Sequence, residues 1–118
     1  MKSLPINKAT IDREPQTRAV DTPAADTAAV VTLGADDSEC HVITGIEFSY
    51  SEMPTGGRLT VVCGGSTTIL DVDITSSGPG PLKWPHGLHN AGTKGEAVVV
   101  TLAAGGGTSL ASLNVSYC

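Results

Sequence analysis

From residue 27 onward, apolar and polar positions alternate with a period of two, the spacing of half-buried β-strands. Thr27–Leu33 is the first such run, closed by the turn-forming segment Gly34-Ala35-Asp36-Asp37-Ser38. Cys40–Ser51 is the longest. Its alternation puts Val42, Thr44, Ile46, Phe48 and Tyr50 on one face and His41, Ile43, Gly45, Glu47 and Ser49 on the other, with Gly45 as a candidate bulge. After the turn at Glu52–Gly57, Arg58–Cys63 and Thr67–Thr75 are joined by Gly64-Gly65, a tight hairpin signal that makes them antiparallel neighbours. Leu59, Val61 and Cys63 point inward from the first, and Leu70, Val72 and Ile74 from the second.

Ser76-Ser77-Gly78-Pro79-Gly80-Pro81 then breaks the pattern. Leu82-Lys83-Trp84 reads as a short edge strand stopped by Pro85, and His86 to Gly95 as a loop. Glu96–Leu102 is again β, and its Val98-Val99-Val100 run implies apolar contacts on both faces. A glycine-rich turn leads to Leu110–Tyr117, with Leu113, Val115 and Tyr117 facing the core. The prediction is an all-β fold: an antiparallel β-sandwich over residues 27–118, jelly-roll-like, of about 6–8 short strands. Its expected core is Ile46, Phe48, Leu59, Val61, Leu70, Val72, Val99, Leu113 and Val115.

Residues 1–26 look different. They show no sustained period, contain Pro5, Pro15 and Pro23, and hold four of the seven basic residues. So few apolar anchors cannot offset the entropy of ordering such a segment alone. It is read as an extended N-terminal arm: either a solvated tail, or a segment that orders on a partner. In the second case Lys2, Lys8, Arg13 and Arg18 pair with acidic groups while Leu4, Ile6, Ile11 and Val20 act as apolar anchors.

Charge and composition narrow the function. The net charge is −5, which argues against nucleic acid as a partner. No apolar run is long enough to span a membrane, and the N-terminus lacks the apolar stretch of a secretory signal. Only four residues are aromatic: Phe48, Tyr50, Trp84 and Tyr117. The core must therefore be built from Val, Ile, Leu and Ala. The three cysteines, Cys40, Cys63 and Cys118, are odd in number and widely spaced, which reads as reduced thiols in a protein made in the cytoplasm.

No catalytic signature is present: neither G-x-S-x-G, nor H-E-x-x-H, nor a phosphate-cradling glycine motif ahead of a helix. The expectation is a non-enzyme without cofactor. Asp71 and Asp73 alternate with Leu70, Val72 and Ile74, so both lie on the outer face of one strand. His86 and His89 sit in a loop without a fixed third ligand, which reads as a polar loop and not as a zinc site. With Trp84 they form a candidate interface or ligand loop.

The stretches Thr44–Ser51, Pro54–Val61, Ile69–Thr75, Gly78–Pro81, Pro85–Leu88 and Glu96–Gly106 together resemble the small β-sandwich head decoration, or cement, proteins of tailed bacteriophages. The resemblance covers roughly residues 27–118 and rests on strand and turn patterns. It implies a virion structural protein made in the host cytoplasm that binds the outer surface of the major capsid protein lattice, often as a homotrimer at local threefold positions. It carries over no catalytic residue. The alternative from another class is a carbohydrate- or receptor-binding sandwich of a phage fibre or host-attachment protein, with Trp84 as the platform.

Overall fold

In the computed structural model, residues 17–34, 42–65, 67–84, 87–88 and 96–117 are described. They form eight strands: β1 (Thr17–Asp21), β2 (Ala29–Leu33), β3 (Ile43–Tyr50), β4 (Gly57–Cys63), β5 (Thr67–Ile74), β6 (Gly80–Lys83), β7 (Val98–Leu102) and β8 (Ala111–Tyr117). These make two four-stranded sheets, ordered β1-β8-β3-β6 and β2-β7-β4-β5, with every pairing antiparallel.

The pairings β1–β8, β2–β7, β3–β6 and β4–β5 nest inside one another. The chain behaves as one long hairpin, tipped by the β4–β5 turn and rolled until β8 meets β3 and β7 meets β4. That wiring is the jelly roll. The tip contains Gly64-Gly65, whose φ angles of 63° and 80° are the left-handed conformation that a tight turn uses and glycine adopts without strain.

The core lies between the sheets. Register sets its rows: Leu33, Val98 and Cys63 align across the second sheet, as do Val31, Val100 and Val61, and Ala29, Leu102 and Leu59. All nine are buried. From the first sheet, Ile43, Ile46, Tyr50, Ala111, Leu113 and Val115 close the space. Of the expected core, Ile46, Leu59, Val61, Leu113 and Val115 are buried, while Phe48, Leu70 and Val72 are half-buried and pack against the cluster from its rim.

Val99 differs from expectation. The all-valine run allows either phase, and the register to β2 and β4 selects Val98 and Val100 for the interior. Val99 lies half-buried on the outer face, between Thr32 and Val62. Ile43 differs too. Between Ile43 and Gly45 the β3–β8 register slips, so that Thr44 is an extra residue. The slip turns Ile43 to the same interior as Ile46, against the strict alternation read from the sequence.

Strand β1 lies within the segment read as the arm. Thr17–Asp21 pairs along its length with β8, from Thr17↔Tyr117 to Asp21↔Leu113, and Ala19 packs against the core. The Asp21 carboxylate then accepts from the Val30 amide at 2.8 Å, tying the crossing into β2. The reading of residues 1–26 as an arm is thus corrected at Thr17–Asp21, which forms an edge strand of the first sheet. An edge strand needs backbone pairing more than apolar alternation, and Thr-Arg-Ala-Val-Asp shows none.

Candidate functional site

The two outer faces of the sandwich place their charges differently. On the second sheet, alternation leaves Val30 and Thr32 of β2, Thr60 and Val62 of β4, and Val99 and Thr101 of β7 pointing away from the core. The pairs Thr60↔Thr101 and Val62↔Val99 place them as one uncharged, β-branched surface, with Val30 42% exposed at its edge. At the β2 edge the Asp21 carboxylate reaches the Val30 amide, and among the described residues the outward charges of the sheet itself lie on β4 and β5. There the Arg58 guanidinium grips Asp71 in two hydrogen bonds, Nε–Oδ1 at 2.6 Å and Nη2–Oδ2 at 2.9 Å, and donates to Asp73 Oδ1 at 2.9 Å. These bonds hold the Asp71 carboxyl below the usual carboxylate range and push Arg58 further up. The two outward carboxylates expected from the sequence are therefore anchored by a cation on the neighbouring strand.

On the first sheet the outer face is polar and charged. One register row crosses all four strands as Arg18, Ser116, Gly45 and Lys83. The next reads Val20, Asn114, Glu47 and Pro81. Gly45 has no side chain, so the first row has a gap at its third position. The result is a cleft of about 330 Å³, flanked by Arg18, Lys83 and Glu47, with Ser116, Thr44, Leu82 and Trp84 completing its lining. Arg18 Nη2 stands 3.9 Å from Glu47 Oε1, and both side chains are more than half exposed. A smaller depression of about 170 Å³ adjoins it across Arg18 and Glu47, lined also by Ser49, Asn114 and Pro79.

Trp84 is fixed by the bulge of β3. Its amide donates to the Thr44 carbonyl at 2.9 Å, and the Leu88 amide donates to Ile43 at 2.8 Å. Trp84 and Leu88 are half-buried and pack against the core, so Trp84 both closes one end of the sandwich and borders the cleft. The opposite end is tied by polar contacts. Tyr50 Oη donates to the Ala103 carbonyl at 2.7 Å, linking β3 to the chain after β7, and burial pushes its hydroxyl pKa up. Ser109 Oγ donates to the Glu52 carbonyl at 3.1 Å, and Thr108 Oγ1 donates to the Glu52 carboxylate.

Of the site residues expected from the sequence, Arg18 lies on β1 beside the cleft and Trp84 at its end. Lys2, Leu4, Ile6, Lys8, Ile11, Arg13, His86 and His89 lie outside the described residues, as do Cys40 and Cys118. Cys63 is buried, and burial, with Glu96 nearby, pushes its thiol pKa up. Glu47, Gly45, Lys83 and Ser116 join Arg18 only through strand register. Outward polar positions on β3, β6 and β8 were the available signal, but the pairing that unites them is not local in sequence.

The architecture defines an all-β, jelly-roll sandwich. No family model matches the chain, nor does any curated protein or solved structure.

Proposed function

We propose that the chain is a virion structural protein, a head decoration or cement subunit of a tailed bacteriophage that attaches to the outer surface of the major capsid protein lattice. The observation that carries this reading is the uncharged Val/Thr patch that β2, β7 and β4 share on the outer face of the second sheet. The uncharged Val/Thr face of the second sheet suits desolvation against a protein surface, where interface centres are depleted of charge. The charged face of the first sheet suits exposure to water. Such a subunit lies with β2, β7, β4 and β5 towards the shell. Each site is repeated over the lattice, so modest affinity per contact is multiplied if subunits associate, as the trimer implied by the resemblance would.

Fold analogy supports the reading in a general way, since jelly rolls recur in viral capsid proteins and in lectins. Residues 1–16 precede an edge strand and contain Lys2, Lys8 and Arg13, a second route of attachment to the shell or a sister subunit.

Co-sedimentation with undecorated shells tests the proposal. Val99→Lys places a charge at the centre of the uncharged face and should weaken attachment by well over tenfold, with the circular dichroism of a folded sandwich retained. Deleting residues 1–16 should also weaken it. Wild-type protein that stays in the supernatant at every shell concentration rejects the proposal, and Val99→Lys protein that binds like wild type rejects the face.

A further inference from the structure

We propose that the cleft on the outer face of the first sheet is a binding site for an acidic saccharide. The inference is independent of shell attachment and concerns the opposite face of the molecule. The cleft exists because the row Arg18–Ser116–Gly45–Lys83 lacks a side chain at Gly45. Long cationic side chains rise from both edge strands around that gap.

The lining is amphipathic in the way a sugar is. Trp84 offers an apolar edge to the C–H face of a pyranose ring, and Ser116, Thr44 and Glu47 offer hydrogen-bonding groups to its hydroxyl edge. Two cations stand against one carboxylate. The Arg18–Glu47 contact of 3.9 Å is too long for a hydrogen bond, so the guanidinium keeps its planar fork for a carboxylate on the ligand. Lys83 carries no ion pair among the described residues. On a chain of net charge −5, this local excess of positive charge selects for an anion. The second depression continues the lining beyond Glu47 with Ser49 and Asn114. Two adjoining hollows fit successive units of an oligosaccharide better than a point anion.

The chain has a single tryptophan, and it borders the cleft, so intrinsic fluorescence reports occupancy directly. The experiment titrates the full chain with trigalacturonate and 3′-sialyllactose. Neutral maltotriose, ringless tricarballylate and a tri-glutamate peptide serve as comparisons. At least one acidic saccharide should shift the emission saturably, with each comparison at least tenfold weaker, and Lys83→Gln should lower that affinity at least fivefold. Gly45→Ala should still bind, because the added Cβ would lie 3.6 Å from the Leu82 carbonyl oxygen and 3.9 Å from Ser116 Cβ, in ordinary contact. Gly45→Leu should fill the cleft and abolish the shift. No saturable response to either acidic saccharide at millimolar concentration overturns the proposal. So does equal binding of maltotriose, tricarballylate or tri-glutamate, or full affinity in Lys83→Gln.

Discussion

The backbone at Gly105 lies close against the Tyr50 ring, and that contact yields a prediction with a magnitude. A Cβ at residue 105 would lie 2.7 Å from Tyr50 Cδ1, 3.0 Å from Cε1 and 3.0 Å from Ser109 Oγ. Carbon atoms normally stay about 3.5–4.0 Å apart, so Gly105→Ala must displace the ring by roughly 1 Å. Tyr50 is 4% exposed and has little room to yield. A shift of that size breaks its 2.7 Å hydrogen bond to Ala103. Overpacking of this kind costs about 1–3 kcal/mol, and Tyr50→Phe, which removes only the hydrogen bond, about 1 kcal/mol. If the alanine acts by pushing the hydroxyl off Ala103, the two costs overlap, and the double variant should fall short of their sum by about 1 kcal/mol. Urea unfolding at constant slope measures each leg, and about 1 kcal/mol corresponds to roughly 4 °C in Tm. Costs that add without overlap, or a Tyr50→Phe variant as stable as wild type, would refute the reasoning. The pH dependence gives an independent check. Burial raises the folded-state pKa of Tyr50 above its ordinary value of 10.0. The unfolded chain therefore loses this proton first as pH rises, and the stability tied to it is intact below 10 and lost as pH climbs through the folded value. That alkaline loss should shrink in Tyr50→Phe.

Other expectations follow from the same contacts. Cys63, buried and with its thiol pKa raised, should resist iodoacetamide at neutral pH and be alkylated only on unfolding, as mapped by mass spectrometry. Asp71 should titrate below an ordinary aspartate in a carboxyl-detected NMR titration, and Arg58→Gln should return it to the usual range. The stability this lowered pKa confers is present above the unfolded-state value and lost as pH falls through the folded one. Deleting residues 1–16 should leave hydrogen exchange in β8 unchanged. Deleting residues 1–20 removes most of β1 and should speed exchange of the β8 amides that face it at least tenfold.

Where one face of a strand is clearly apolar, the chain announced its structure. Leu59, Val61 and Cys63 alternate cleanly and are all buried, and Gly64-Gly65 marked the hairpin between β4 and β5. Where both phases were equally apolar, as at Val98–Val100, only pairing with β2 and β4 decided which valines turned inward. The Thr44 bulge could be suspected from Gly45, but its consequence for Ile43 depends on the register with β8. β1 left no pattern because an edge strand with one inward alanine needs none. The cleft was least legible. Arg18 and Ser116 are adjacent only because the rolled hairpin brings its two ends together. The basic residues of the first 26 were read as an arm, whereas Arg18 belongs to the sheet face.

A cryo-electron microscopy reconstruction of undecorated phage shells incubated with this chain tests the proposed attachment most directly, because it shows whether the sandwich binds and by which face. The account predicts density for the sandwich on the outer surface, with Val30, Val62, Val99 and Thr101 against the lattice and the cleft of Arg18 and Lys83 open to solvent. A sandwich bound through its first sheet, with the Val/Thr face turned outward, would contradict it.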